Sequence, residues 1–125
     1  MRDPKTIDAA RLAEGLKSGR LRLIDIREAH EHAREHIEGA QLFPLSEAAS
    51  AALSLDAGTT AVFHCKSGMR TVMNGAMLAA KVEGRALILD GGIEAWKRAG
   101  LPVARPDGPS LLGRLFAIVS GKPKA

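Results

Sequence analysis

Apolar and polar positions along the chain fall into alternating helical and strand-like runs. From Asp8 to Lys17, Ala9, Leu12, Ala13 and Leu16 recur at intervals of three and four. That spacing predicts an amphipathic helix, capped by Thr6 or Asp8 and ended by Ser18-Gly19. Residues 1–5 read as a frayed lead-in. Leu21–Ile26 predicts a strand, with Asp25 and Arg27 near its exit. A helix is expected over Glu28–Arg34, a turn over His36–Ala40, and a very short strand at Leu42 and Phe43. Pro44 breaks that run, and Ser46 can cap an alanine-rich helix reaching Leu53. After the turn Asp56-Ala-Gly58, Thr59–His64 is the next strand. A helix is expected from about Arg70 to Val82, where Val72, Ala76, Ala79 and Ala80 offer a small-residue face for close packing on a sheet. Arg85–Leu89 reads as a strand and Asp90-Gly91-Gly92 as a turn. The last core helix is expected over Ile93–Arg98, stopped by Gly100 and Pro102.

Helices and strands thus alternate with short connections, and two of the strands are continuous apolar runs. Strands buried on both faces read this way, which predicts an α/β fold with a mostly parallel sheet between helices. Sites in such sheets lie outside the C-terminal ends of the strands. Three groups fall at those ends: Asp25 with Arg27, Cys65, and Asp90 with Gly91 and Gly92.

A length of 125 residues with 46% hydrophobic content bounds the chain to one domain with a real core. With three Phe, one Trp and no Tyr, that core must be aliphatic. A single cysteine excludes an internal disulfide and a Cys-only metal site. The formal charge of +4 favours small anions, but no aromatic-and-basic stacking pattern accompanies it, so nucleic-acid binding is not expected. His32 and His36 are four apart and could share a helix face; no further ligand is evident, and no metal or other cofactor is expected. No apolar segment follows the N-terminus as a signal peptide would require, and no run reaches the ~18 apolar residues of a membrane span. The expected location is the cytoplasm, with the inner face of the membrane as an alternative. Residues 1–104 form the expected domain, and 105–125 a linker with a short apolar helix over Leu111–Val119. That helix could pack on the domain, join two copies, or touch a lipid surface beside Lys122 and Lys124.

The chemistry concentrates in Ala61–Ala80. Cys65 ends a buried strand and is followed by Lys66, Ser67, Gly68, Met69 and Arg70 before a helix. N–H groups of such a loop converge on one point and favour an anion there, which suits a thiolate. Gly68 permits the tight turn, Lys66 and Arg70 add positive charge that could steer an anionic substrate, and the Ser67 hydroxyl could give the sulfur a hydrogen bond. His64 precedes Cys65 in the strand, so their side chains should point to opposite faces. Arg70 could instead pair with a carboxylate, and Lys66 could simply be solvated.

Four patches resemble the single-domain rhodaneses, which form persulfides. They are Leu23-Ile-Asp-Ile-Arg27 with Glu31; His36-Ile-Glu-Gly-Ala40; Cys65-Lys-Ser-Gly-Met-Arg70; and Leu89-Asp-Gly-Gly-Ile-Glu-Ala-Trp96 with Gly100-Leu-Pro-Val103. Glu35 stands where that family usually has glycine, a departure bearing on backbone shape. The resemblance spans about residues 6 to 104. It implies a three-layer sandwich around a five-stranded, mostly parallel sheet. It implies that Cys65 takes sulfane sulfur from an anionic donor, thiosulfate or a persulfide, and passes it to cyanide or a thiol. Asp25, Arg27, Glu31, Asp90, Gly91 and Gly92 would support the loop, with an Arg27–Glu31 pair pinning the first segment. The alternatives are a sulfur carrier or regulatory binding module on the same fold, and a cysteine phosphatase or arsenate reductase. Tyrosine phosphatases place five residues between Cys and Arg, and this chain has four.

Overall fold

The computed structural model describes residues 4–106. The helix expected over Leu111–Val119 lies outside the described residues. In chain order the elements are β1 (Lys5–Ile7), α1 (Ala9–Ser18), β2 (Leu21–Asp25), α2 (Ala29–Arg34), β3 (Gln41–Leu42) and α3 (Leu45–Ala48). They continue with β4 (Thr60–His64), α4 (Met69–Met73), α5 (Gly75–Ala79), β5 (Ala86–Leu89) and α6 (Gly92–Arg98). The five strands form one sheet in the order β1-β5-β4-β2-β3, and every pairing is parallel.

Strand alternation divides the core into two layers. Leu23, Val62, Leu87 and Leu89 pack with Ala9 and Leu12 of α1 and with Ile93 and Trp96 of α6. Ile24, Ala61, Phe63 and Ala86 face the other way, against Phe43, Ala48 of α3 and Leu78 of α5. Asp8 caps α1 by accepting the Arg11 N–H at 2.8 Å. Glu28 and Glu31 form a reciprocal capping box at the start of α2.

Several expectations change. Lys5–Ile7 is an edge strand rather than a lead-in: three residues are too few to show alternation, but β5 pairs with them and the Asp90 N–H donates to Ile7 O at 2.9 Å. The helix expected to reach Leu53 ends at Ala48, because Ser46 does not cap it. Its hydroxyl donates to Glu28, while Lys81 Nζ donates to the carbonyls of Ala49 and Ala51 beyond the helix end. The helix expected over 70–82 is two short ones, broken at Asn74, whose side chain donates to Arg70 O at 2.7 Å. Its buried face is Thr71, Gly75 and Leu78, so Val72 points outward. Gly75 allows the close approach: a Cβ there would stand 3.0 Å from Pro4 Cδ.

Beneath the sheet's C-terminal edge lies a buried charge cluster. Arg27 Nη2 donates to Asp25 Oδ2 at 2.8 Å and Arg27 Nε to Oδ1 at 3.0 Å. His32 Nδ1 also reaches Oδ2, at 2.9 Å, and its ring stacks on His36 with centroids 4.2 Å apart. The expected Arg27–Glu31 pair does not form, because Arg27 turns inward to Asp25 and donates besides to Glu35 O at 2.7 Å. Burial would raise the Asp25 pKa, but the Arg27 bonds, His64 and His32 outweigh it and hold it at about 2. Burial depresses His64 to about 4.

Asp25→Ala leaves a buried guanidinium unpaired and is expected to cost about 3–5 kcal/mol in urea unfolding. Acid should act in two stages. Between pH 6.5 and about 4 the unfolded chain protonates His64 and the folded chain does not, so stability falls as pH is lowered. From 3.8 down through about 2 the stability supplied by ionised Asp25 is lost in turn. Unfolding curves across that range should show the upper stage flattened in His64→Gln.

Candidate active site

Cys65 follows β4 directly and is 1% exposed. The Gly68 N–H donates to its Sγ at 3.1 Å, from a residue held at φ +96°. Thr71 Oγ1 lies 3.8 Å from Sγ and donates its hydrogen to Gly68 O at 2.8 Å. With that hydrogen committed, Thr71 can accept from the thiol, or must rotate to donate to a thiolate. Sequence reasoning assigned the loop hydroxyl to Ser67. The structure places Ser67 outward and exposed, and the hydroxyl beside the sulfur is that of Thr71, the first residue after Arg70. Helical spacing after the loop was the available signal, since Thr71 begins the buried face of α4.

What aims the loop is α6. The N–H groups of a first helical turn have no partners within their own helix. Here the Ile93 N–H donates to Cys65 O at 2.9 Å and the Glu94 N–H to Lys66 O at 3.0 Å. Those two carbonyls are thereby turned towards α6. Gly91 and Gly92, both at positive φ, let the turn pass beneath. A Cβ on Gly92 would stand 2.5 Å from Cys65 O and from Lys66 O. Asp90 is exposed at the end of β5, and its backbone ties that turn to β1.

The two loop cations are placed differently. Lys66 is exposed and has no carboxylate partner among the described residues. Arg70 is clamped by Glu31 of α2, with Nη1–Oε1 at 2.8 Å and Nη2–Oε2 at 2.9 Å. The Arg70 bonds hold the Glu31 carboxyl at about 2, and Glu31 in turn raises Arg70. His64 is buried on the opposite side of the strand from Cys65, beside Asp25, and its Nδ1 lies 3.2 Å from Cys65 O. Its Nε2 has no hydrogen-bond partner. Glu35 holds Lys97 and Arg105, 2.5 and 2.8 Å away, in extended backbone that any residue adopts. Among the described residues no cluster of His, Cys, Asp and Glu is placed to hold a metal ion, and no helix is long and apolar enough to cross a membrane.

A parallel sheet with a cysteine at the end of its central strand, and a loop N–H directed at that sulfur, defines an α/β domain with one buried thiol at the sheet's C-terminal edge. The chain belongs to the rhodanese-like domain family, which matches residues 8–99. It is 35% identical over 120 residues to the uncharacterized protein slr1261 of Synechocystis sp., covering 94% of this chain and 64% of that protein. It is 36% identical over 86 residues to a protein of Allochromatium vinosum named sulfurtransferase, covering 69% of this chain and 80% of that one. Among solved structures, thiosulfate sulfurtransferase from Pseudomonas aeruginosa superposes with a TM-score of 0.72 at 31% identity, covering 83% of this chain and 20% of that one.

Gly92→Ala should destabilise the domain more than Gly100→Ala. Both glycines sit at positive φ, but an added Cβ meets loop carbonyls at Gly92 and nothing within 4 Å at Gly100. The difference is expected to be about 1–3 kcal/mol, the usual scale of overpacking, read from thermal unfolding. Equal losses would show that the loop carbonyls impose no constraint on α6.

Proposed function

We propose that the protein is a sulfurtransferase that carries sulfane sulfur on Cys65. The observation that carries this reading is the Gly68 N–H directed at Sγ from a loop whose first two carbonyls are bound by α6. Such a site stabilises negative charge on sulfur with fixed dipoles. Membership of the family and the name of the Allochromatium relative support sulfur transfer.

In the first half-reaction the Cys65 thiolate attacks the outer sulfur of the donor. A bond forms between Sγ and that sulfur, the donor's S–S bond breaks, and sulfite or a thiolate leaves with the electron pair. In the second, cyanide or an acceptor thiolate attacks the outer sulfur of the Cys65 persulfide, and the Cys65 thiolate leaves. The roles follow from position. Gly68 holds the charge on sulfur, Thr71 supplies a hydroxyl that can turn to either protonation state, and Lys66 draws the anionic donor. Glu31 fixes Arg70, while Asp25 with Arg27 anchors the first segment. Four residues between Cys65 and Arg70 make a loop suited to one sulfur atom rather than a tetrahedral oxyanion. The expected partners are small molecules, and the tail's contact with a second copy or a lipid surface belongs to the same proposal.

The test is intact mass after incubation with thiosulfate or a polysulfide. A gain of about 32 Da on Cys65, removed by cyanide or a thiol, is expected of a persulfide formed by a nucleophilic cysteine. Cys65→Ser should give no adduct while keeping its fold. A persulfide that forms but does not turn over marks a carrier. No adduct with several donors after reduction would overturn the reading.

A further inference from the structure

We propose that His64 is a positioning residue for Cys65: its Nδ1–H holds the Cys65 carbonyl, and with it the start of the loop that directs an N–H at Sγ. The inference concerns how the thiol is held and stands apart from which molecule reacts with it. Cys65 O lies 3.2 Å from His64 Nδ1 and 2.9 Å from the Ile93 nitrogen. A carbonyl oxygen has two lone pairs, so β4 and α6 together occupy both. Two donors from different elements fix the plane of the peptide joining Cys65 to Lys66, where one alone leaves it room to turn. That peptide opens the loop whose Gly68 N–H reaches Sγ at 3.1 Å. His64 is itself fixed, because β4 pairs it with Asp25 of β2 and its carbonyl accepts the Ile26 N–H at 3.0 Å.

The surroundings select the tautomer. Cys65 O can only accept, so the ring hydrogen sits on Nδ1 and Nε2 carries a lone pair. Nε2 is buried without a partner, 3.8 Å from Asp25 Oδ2, which as a carboxylate oxygen also only accepts. That oxygen is already held by Arg27 at 2.8 Å and His32 at 2.9 Å. The other tautomer would set a bare Nδ1 against Cys65 O and still leave Nε2 too far from Oδ2 for a hydrogen bond. An unpartnered buried acceptor costs stability. An apolar side chain at this position would avoid that cost. What His64 supplies, and an apolar residue does not, is the donor to Cys65 O.

The chain holds one cysteine, so a small thiol reagent reports on Cys65 alone. The experiment measures the second-order rate of its modification by methyl methanethiosulfonate, by rapid-quench intact mass on the full chain. Work near neutral pH keeps His64 uncharged. In that reaction Sγ bonds to the methylthio sulfur, and methanesulfinate leaves with the electron pair. His64→Asn places an amide NH₂ where Nδ1 stands, and its rate should match that of the unaltered chain. His64→Gln places its amide nitrogen at the Nε2 position, and His64→Phe has none. Both should react more slowly by about fivefold, the scale of one neutral hydrogen bond. The Gly68 amide proton resonance should move in those two variants and hold in His64→Asn. In the unaltered chain, the ring nitrogen spectrum of His64 should show a protonated Nδ1 and a bare Nε2. A protonated Nε2 overturns the proposal. So does a His64→Asn variant as slow as His64→Phe, or Gln and Phe variants as fast as the unaltered chain. Where Gln or Phe prevents folding, as read by circular dichroism, the ring tautomer and the His64→Asn rate decide: a slow Asn variant overturns the proposal and a matching one supports it.

Discussion

The first turn of α6 has N–H groups without intrahelical acceptors, and the loop after β4 has carbonyls that would repel charge on Cys65. The contact of Ile93 N–H with Cys65 O and Glu94 N–H with Lys66 O satisfies both needs at once. It depends on sheet order. Because β5 lies beside β4, the helix that follows β5 begins next to the residue that follows β4. It depends on Gly92, where a Cβ would stand 2.5 Å from the loop carbonyls, and on Gly91, where one would meet Ala95 Cβ of α6 at 2.7 Å. A patch some 25 residues along the chain from the cysteine is thereby made part of its surroundings by topology.

The first segment after β2 is fixed from below and from the side. Asp25 binds the backbone N–H and the guanidinium of Arg27, and Arg27 reaches on to Glu35 O. Glu31 is then left for Arg70, tying α2 to α4 across the mouth of the site. Removing either partner of the buried pair exposes the other's full desolvation cost, so Asp25 and Arg27 function as a unit. The Glu31–Arg70 pair is half-exposed and adds less to stability. Its effect is on position, because it holds the Arg70 guanidinium by two bonds at the end of the loop.

The α/β architecture was legible because β4 and β5 are unbroken apolar runs and α1 has a clean helical period. The cysteine loop was legible from one buried strand, one cysteine and one glycine in close order. Among the features that were not, three show the physical reasons. Lys5–Ile7 carries too few residues to show a period and exists because β5 offers it an edge. The outward turn of Val72 depends on where α4 starts, since a shift of one position rotates a helix face by about 100°, and Gly68 rather than Arg70 sets that start. The partner of Arg27 could not be chosen between two nearby carboxylates from spacing alone. Asp25 prevails because it is buried beside the guanidinium, whereas Glu31 is already held by the capping box and Arg70.

Alternation along β4 also determines how charge on the sulfur is handled. His64 and Cys65 are adjacent, but His64 faces Asp25 and is held neutral by burial above a pH of about 4. No imidazolium therefore faces Sγ, and the Arg70 charge is bound by Glu31. The groups directed at Sγ are an N–H dipole and a hydroxyl. A full countercation would stabilise a thiolate more strongly but would also lower its nucleophilicity, because attack by sulfur weakens as the thiolate is stabilised. Fixed dipoles occupy the middle ground, holding an anion without quenching it and needing no reorganisation as charge moves between Sγ and an attached sulfur. Under the sulfur-transfer reading proposed above, a cysteine that attacks in one half-reaction and leaves in the next is served by such fixed dipoles. The sheet provides that by turning its buried histidine away from the sulfur.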